Sequence, residues 1–196
     1  MSRLVVLGVL ATALAACGDK TTAPGRPRSE GASRETGLAA FEQVRSVFQH
    51  ARCQNCHPAG DIPLQGDDGR PHAQNVQRGP EGRGNVGLEC TTCHQAANAP
   101  DSYGAHMPPG ASTGWRMPPP QTRMVFVGMS AAALCEQIKD TSRNGGRDLA
   151  ALRTHLDDPL VAWAWNPGVG RTPLPLSRQE FLTAFETWTA AGAPCP

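Results

Sequence analysis

No run in this sequence is apolar for long enough to cross a bilayer. The most hydrophobic stretch, Leu4 to Leu14, falls well short of the ~20 residues that a spanning helix needs. There is no excess of one charge either: 18 basic side chains face 17 acidic ones, and no basic stripe suited to nucleic acid is present. Nucleic acid is therefore not an expected partner. Convincing strand patterns are missing, as is any internal repeat beyond one five-residue motif. Between His57 and Ser130 no long periodic segment occurs; Pro58, Gly60, Pro63, Gly66, Pro71, Gly79, Pro80, Pro108, Pro109, Pro118, Pro119 and Pro120 interrupt it throughout. A stretch that long without helix or strand argues against a core built from its side chains alone.

What the chain does have is that motif, twice. Cys53-Gln54-Asn55-Cys56-His57 and Cys90-Thr91-Thr92-Cys93-His94 both read Cys-x-x-Cys-His, the pattern for covalent attachment of a c-type haem. Two thiols three positions apart reach the two vinyl groups of one porphyrin, and the adjoining His is held under the iron as its proximal ligand. The alternative is a zinc site of four thiolates. With six His in 196 residues, a chance His after both pairs has odds of roughly one in a thousand. Two haem c groups are the expected cofactors, held by Cys53, Cys56 and His57 and by Cys90, Cys93 and His94.

The N-terminus points to export. Arg3 and the short apolar run lead into Leu14-Ala15-Ala16-Cys17, which resembles the bacterial lipobox, whose Cys is lipidated and becomes the mature N-terminus. An ordinary cleaved signal with an incidental Cys is the alternative. Gly18 follows Cys17, so the usual inner-membrane retention Asp is missing, and a periplasm-facing lipoprotein of the outer membrane is expected. Residues 18–36 are polar and rich in Pro, Gly and Ser, as a flexible tether would be. Residues 37–196 are then the folded domain. Removing residues 1–17 takes away Arg3 and leaves 17 basic and 17 acidic side chains.

The seven cysteines divide cleanly. Cys17 is the lipid site and four belong to the haem motifs. Cys135 and Cys195 remain, and an oxidising compartment favours a disulfide between them over two free buried thiols.

Helices flank the irregular stretch. Ala40, Phe41, Val44, Val47 and Phe48 form an apolar stripe over 37–51 that runs into the first motif. Ser130 can cap a helix carrying Leu134, Cys135 and Ile138, and Asp148 one carrying Leu149, Leu152 and Leu156. Ser177-Arg178-Gln179-Glu180 forms a capping box ahead of Phe181, Leu182, Phe185 and Trp188, and Gly192 ends that helix. The expected fold class is mainly α: cytochrome c-like helices with long Pro/Gly-rich loops wrapped around two covalently attached haems.

Each iron has a sixth position. For the first haem His72 is expected there, 15 residues after His57 in a loop able to fold over the same haem. For the second, Met107 in Met107-Pro108-Pro109 is favoured, with Met117 and His106 behind it. Met124 and Met129 read as core, His50 as an outward-facing helix residue, and His155 as a helix His. Trp115 is a candidate cover for a haem edge, and Arg78 and Arg83 are candidate partners for propionates.

From Cys53 to Pro120 the chain resembles a lineage of small di-haem c-type cytochromes. The residues that carry this are Cys56-His57-Pro58-Ala59-Gly60, Pro71-His72, Asn75-Val76-Gln77-Arg78-Gly79, the second haem motif and Met107-Pro108-Pro109-Gly110. The ending Trp188-Thr189-Ala190-Ala191-Gly192-Ala193-Pro194 is similar to the last helix of many bacterial c-type cytochromes. Relatives of this kind are sometimes labelled subunits of isoquinoline 1-oxidoreductase, a molybdenum hydroxylase. The resemblance implies a non-enzymatic electron carrier between a periplasmic dehydrogenase, such as that hydroxylase, and the respiratory chain. A di-haem peroxidase with an open haem site is the alternative; such enzymes are larger and space their motifs further apart.

Overall fold

Ser33 accepts a hydrogen bond from the Thr36 amide and starts the first helix, α1 (Arg34–Phe48). The computed structural model describes residues 33–196; the signal segment, Cys17 and most of the expected tether lie outside the described residues. Because a capping serine precedes it, α1 begins at Arg34, so residues 34–36 of the expected tether are helical. α1 buries Gly37, Ala40, Phe41, Val44 and Val47 on one face, at the helical spacing read from the sequence.

Four further helices follow: α2 (Ala51–Gln54), α3 (Ala131–Lys139), α4 (Leu149–His155) and α5 (Pro159–Ala162). The last, α6 (Arg178–Ala190), carries the full capping box, in which Ser177 and Glu180 satisfy each other's amides. Ser130 and Asp148 cap α3 and α4 as their residue types predict. α5 and the 3₁₀ turn Trp163–Trp165 that follows it carry too few residues to show a period.

The core lies where α1 meets α6. Phe41, Val44, Val47, Leu134, Ile138, Phe181, Phe185 and Trp188 are all at most 2% exposed. Each such side chain contributes about 1.5–3 kcal/mol on burial. Phe41 and Phe185 pack on the Trp188 ring, and the indole N–H donates to the Pro194 carbonyl at 3.0 Å. Gly37 permits the tail's close approach: a Cβ there would lie 2.6 Å from Ala191 Cβ and 2.7 Å from Pro194 Cγ. The chain turns after α6 through Gly192, at φ +82°, and Cys195 then forms a disulfide with Cys135 on α3. The pairing expected from the cysteine count is present.

Residues 57–130 are mostly irregular, as expected, but hold two small antiparallel ladders. β1 (Leu64–Gln65) pairs with β2 (Arg70–Pro71), Leu64 opposite Pro71, and β3 (Gly84–Asn85) pairs with β4 (Leu88–Glu89). Two-residue strands are too short for an alternating pattern to reveal. The mainly α class holds, and no described helix is long and apolar enough to cross a membrane.

Long-range side-chain bonds to backbone carbonyls hold the irregular stretch. Arg78 is fully buried; its guanidinium donates to the carbonyls of Pro118, Pro58 and Gly60 at 2.6, 3.1 and 2.9 Å. The sequence reading left Arg78 free for a propionate, but the structure has it as an internal latch. Arg83 is exposed.

The disulfide closes a sequence separation of 60 residues. Replacing Cys135 and Cys195 together by Ser is expected to lower stability by about 2–4 kcal/mol. A urea titration of both proteins measures this, and coincident midpoints would deny the link any stabilising part.

Candidate haem-attachment site

α1 delivers the first motif. His50 caps α2, its Nδ1 accepting from the Arg52 amide at 3.2 Å, so Cys53 lies on a helical turn directly after α1. His57 follows, its amide bonded to the Gln54 carbonyl at 3.0 Å. The second motif lies on a 3₁₀ turn, and the two share one bond: the Cys56 amide on the Cys53 carbonyl at 3.3 Å and the Cys93 amide on the Cys90 carbonyl at 3.2 Å. All four motif thiols are free of disulfides. Burial pushes the Cys53 thiol up to about 12 and that of Cys56 up to about 11, so both are neutral thiols at pH 7.

Both motif histidines are held the same way. His57 Nδ1 lies 2.6 Å from the Met124 carbonyl, and His94 Nδ1 lies 2.8 Å from the Pro109 carbonyl. A carbonyl only accepts, so Nδ1 carries the proton in each ring and Nε2 keeps its lone pair. An aromatic face backs each imidazole. Phe126 stacks on His57 with centroids 4.0 Å apart and planes 10° from parallel; Trp115 stacks on His94 at 4.6 Å and 4°. Burial lowers both imidazoles to about 4, so both are neutral near pH 7, as a metal ligand must be.

Side chains elsewhere fix the two carbonyls. Gln137, buried on α3, donates to the Val125 carbonyl at 2.6 Å and accepts from its amide at 3.2 Å. The Phe126 amide donates to the His57 carbonyl at 2.8 Å, and Gln49 holds the Phe126 carbonyl at 2.8 Å. At the second motif the Gly110 amide donates to Asn98 Oδ1 at 3.1 Å, which also accepts from the Trp163 indole at 3.0 Å. A Cβ on Gly110 would lie 2.1 Å from the Ala97 carbonyl oxygen, so only glycine lets this loop come close enough.

Both motifs open onto one cavity of about 440 Å³, within the range of small-molecule and cofactor sites. Cys56 lines it from the first motif, and Cys90, Cys93 and His94 from the second. The wall is largely apolar, with Pro63, Leu64, Val76, Leu88, Trp115 and Met117, but Arg52, Arg70 and Arg171 also reach it. Arg52 is only 5% exposed. Arg52 and Asn55 both line the cavity, while Arg52 Nε and Asn55 Oδ1 are buried with no hydrogen-bond partner among the described residues. Nothing in the sequence marks these arginines as cavity residues. A cation next to a motif cysteine looks like a surface residue until the fold buries it.

The expected sixth ligands are distributed differently. His72 lines the cavity beside His94, their ring centroids 6.2 Å apart. Met107 is not on this cavity; it lines a smaller hollow with Asn98, Asp101 and Gly168, and its carbonyl accepts from Arg171 at 2.6 Å. His106 and Met117 do line the main cavity, His106 from an exposed loop and Met117 buried. Met124 and Met129 pack against the helical core. His50 is an α2 cap, and His155 is partly buried at the end of α4, its imidazole lowered by burial. Trp115, a candidate cover for a haem edge, lines the cavity and backs the His94 ring.

Among the described residues no three His, Cys, Asp or Glu side chains converge on one point as a metal cluster. Comparison with protein-family models, with curated proteins and with solved structures finds no match to this chain.

Asp67 holds the cavity's buried arginine. Its carboxylate pairs with Arg52 and accepts from the Thr172 hydroxyl at 2.6 Å and amide at 2.9 Å. The Thr172 hydroxyl, with Arg52 adding, keeps the Asp67 carboxyl below its usual range. A depressed folded pKa means that the unfolded chain takes up the proton first as pH falls. The stability it contributes is present above the ordinary carboxylate range and is lost on acidification through the folded pKa. Asp67→Asn is expected to cost about 1–3 kcal/mol at neutral pH, because a buried guanidinium loses its acceptor. It should also flatten the acid side of a urea-midpoint profile between pH 5 and 2. Parallel acid limbs for the two proteins would contradict this.

Proposed function

We propose that this chain is a di-haem c-type cytochrome: an electron carrier, not an enzyme, tethered to the periplasmic side of a bacterial cell envelope through Cys17. The observation that carries the reading is the doubled arrangement of the two motifs, of which the second places His94 on the cavity and the first reaches it through Cys56. Two Cys-x-x-Cys-His turns each present a neutral imidazole whose Nδ1 is tied to a carbonyl and whose ring is backed by an aromatic face.

The residues fit two haem c groups. Cys53 and Cys56, and Cys90 and Cys93, would form the thioethers, and Nε2 of His57 and of His94 would bind iron. The apolar wall suits the porphyrin, and the arginines that line it, Arg70 and Arg171 with Arg52, suit its propionates.

Haem supplies reversible one-electron exchange. This chain's own side chains do the rest. The carbonyls of Met124 and Pro109 fix the tautomer of each ligating ring, Phe126 and Trp115 fix its plane, and the apolar lining excludes water. Fixed ligands keep structural change small between oxidation states, as a carrier requires. The donor is expected to be a periplasmic dehydrogenase, such as a molybdenum hydroxylase, and the acceptor a component of the respiratory chain.

Intact-mass analysis of the full chain, expressed with a haem-attachment system and taken from the membrane fraction, tests this. Two haems per chain and a lipid on Cys17 are expected, falling to one haem in the Cys90→Ser/Cys93→Ser variant. A haem-free chain retaining zinc would overturn the reading. A water-soluble chain with two haems would overturn only the anchor.

A further inference from the structure

We propose that His72, although it follows the first motif, is the sixth ligand of the haem held by the second, opposite His94. This rests on the di-haem reading and reassigns His72 within it.

Placement begins with the β1–β2 hairpin. The Leu64 amide donates to the Asn55 carbonyl at 2.9 Å, and the Asn55 side chain donates to the Gly66 carbonyl at 2.9 Å. These bonds fasten the hairpin to the first motif's turn. The His72 amide then donates to the Pro63 carbonyl at 2.9 Å, and the Ala73 amide to Gln65 Oε1 at 3.1 Å. His72 thus leaves the end of the ladder at a defined point, against the cavity wall that Cys90, Cys93 and His94 also form.

The separation of the two rings is the deciding quantity. Two metal–imidazole bonds of about 2 Å and two ring radii of about 1.2 Å put the centroids of opposed ligands about 6.4 Å apart. His72 and His94 stand 6.2 Å apart. That is too far for a direct hydrogen bond between them. Each ring bonds instead to a backbone carbonyl through Nδ1, His72 to Ala73 at 2.8 Å and His94 to Pro109 at 2.8 Å. Both therefore keep Nε2 available as a lone-pair donor. His57 does not line the cavity that His72 shares with His94, and Met107 lies off it, so His72 is the histidine placed opposite His94.

One consequence is structural: the first motif's loop cannot be displaced without uncovering the second motif's iron. The other concerns potential. His on both sides of an iron lowers its potential relative to His and Met, so the second haem becomes the lower-potential site wherever the first takes a Met.

His72→Gly in the full-length holoprotein tests the proposal. Two haems should remain attached, while half of the total haem turns high-spin and binds carbon monoxide. Added imidazole should restore the low-spin spectrum. His72→Met, which keeps a ligand, should raise one midpoint potential and leave the other unchanged. In a Cys53→Ala/Cys56→Ala background, His72→Gly should convert all remaining haem; in a Cys90→Ala/Cys93→Ala background it should convert none. Iron-anomalous crystallography of the unmodified holoprotein reads the same pairing if a single-haem background fails to fold. Unchanged spectra in His72→Gly, the reverse pattern in the two backgrounds, or an iron on His94 faced by another residue would overturn the proposal. Fewer than two haems in the unmodified chain would instead overturn the di-haem reading.

Discussion

The hydrogen bond from an imidazole Nδ1 to a backbone carbonyl decides which nitrogen of that ring is left to react, and most of this fold keeps two such carbonyls still. For His57 the support starts in the helical core. Phe181 meets Phe48 edge-on at 5.6 Å, Phe48 stacks on Phe126 at 4.9 Å, and Phe126 stacks on His57. This aromatic column runs from α6 through the end of α1 to the first motif. Gln137 fixes the same segment from α3 through the Val125 backbone. For His94 the support comes from Asn98, which joins Gly110 to Trp163, and from the Trp115–Trp163 pair. Each ring is thus secured by an aromatic face together with neutral hydrogen bonds.

The helices were legible because their signals are local. Ser130, Asp148 and Ser177 cap where their hydroxyl or carboxylate types predict, and the apolar spacing of α1 and α6 names the buried residues. The disulfide was legible because cysteine types can be counted. The middle of the chain was not. It is ordered by bonds between residues 20, 40 or 65 positions apart, such as Arg78 to Pro58 and Pro118 and Trp163 to Asn98. No periodicity records such bonds, and an arginine that binds three carbonyls reads the same as one that faces water.

The Met-Pro sequences show the same limit. Proline stiffens such a segment, but stiffness can aim either a side chain or a carbonyl. Pro109 offers its oxygen to His94 and Pro118 offers its oxygen to Arg78, while Met107 sits off the main cavity. His72 was paired with the nearer motif in sequence because a loop closes most easily on its neighbour. The hairpin adds a reversal that carries it across to the other one.

Gly110 illustrates how indirect control over reactivity can be. It has no side chain and no titrating group, and it touches neither imidazole. Yet the space left by its missing Cβ lets the 109–111 backbone lie against Ala97, which sets the Pro109 oxygen on His94 Nδ1. Which nitrogen of that histidine holds a proton, and so which one can give an electron pair, is determined by an absent carbon.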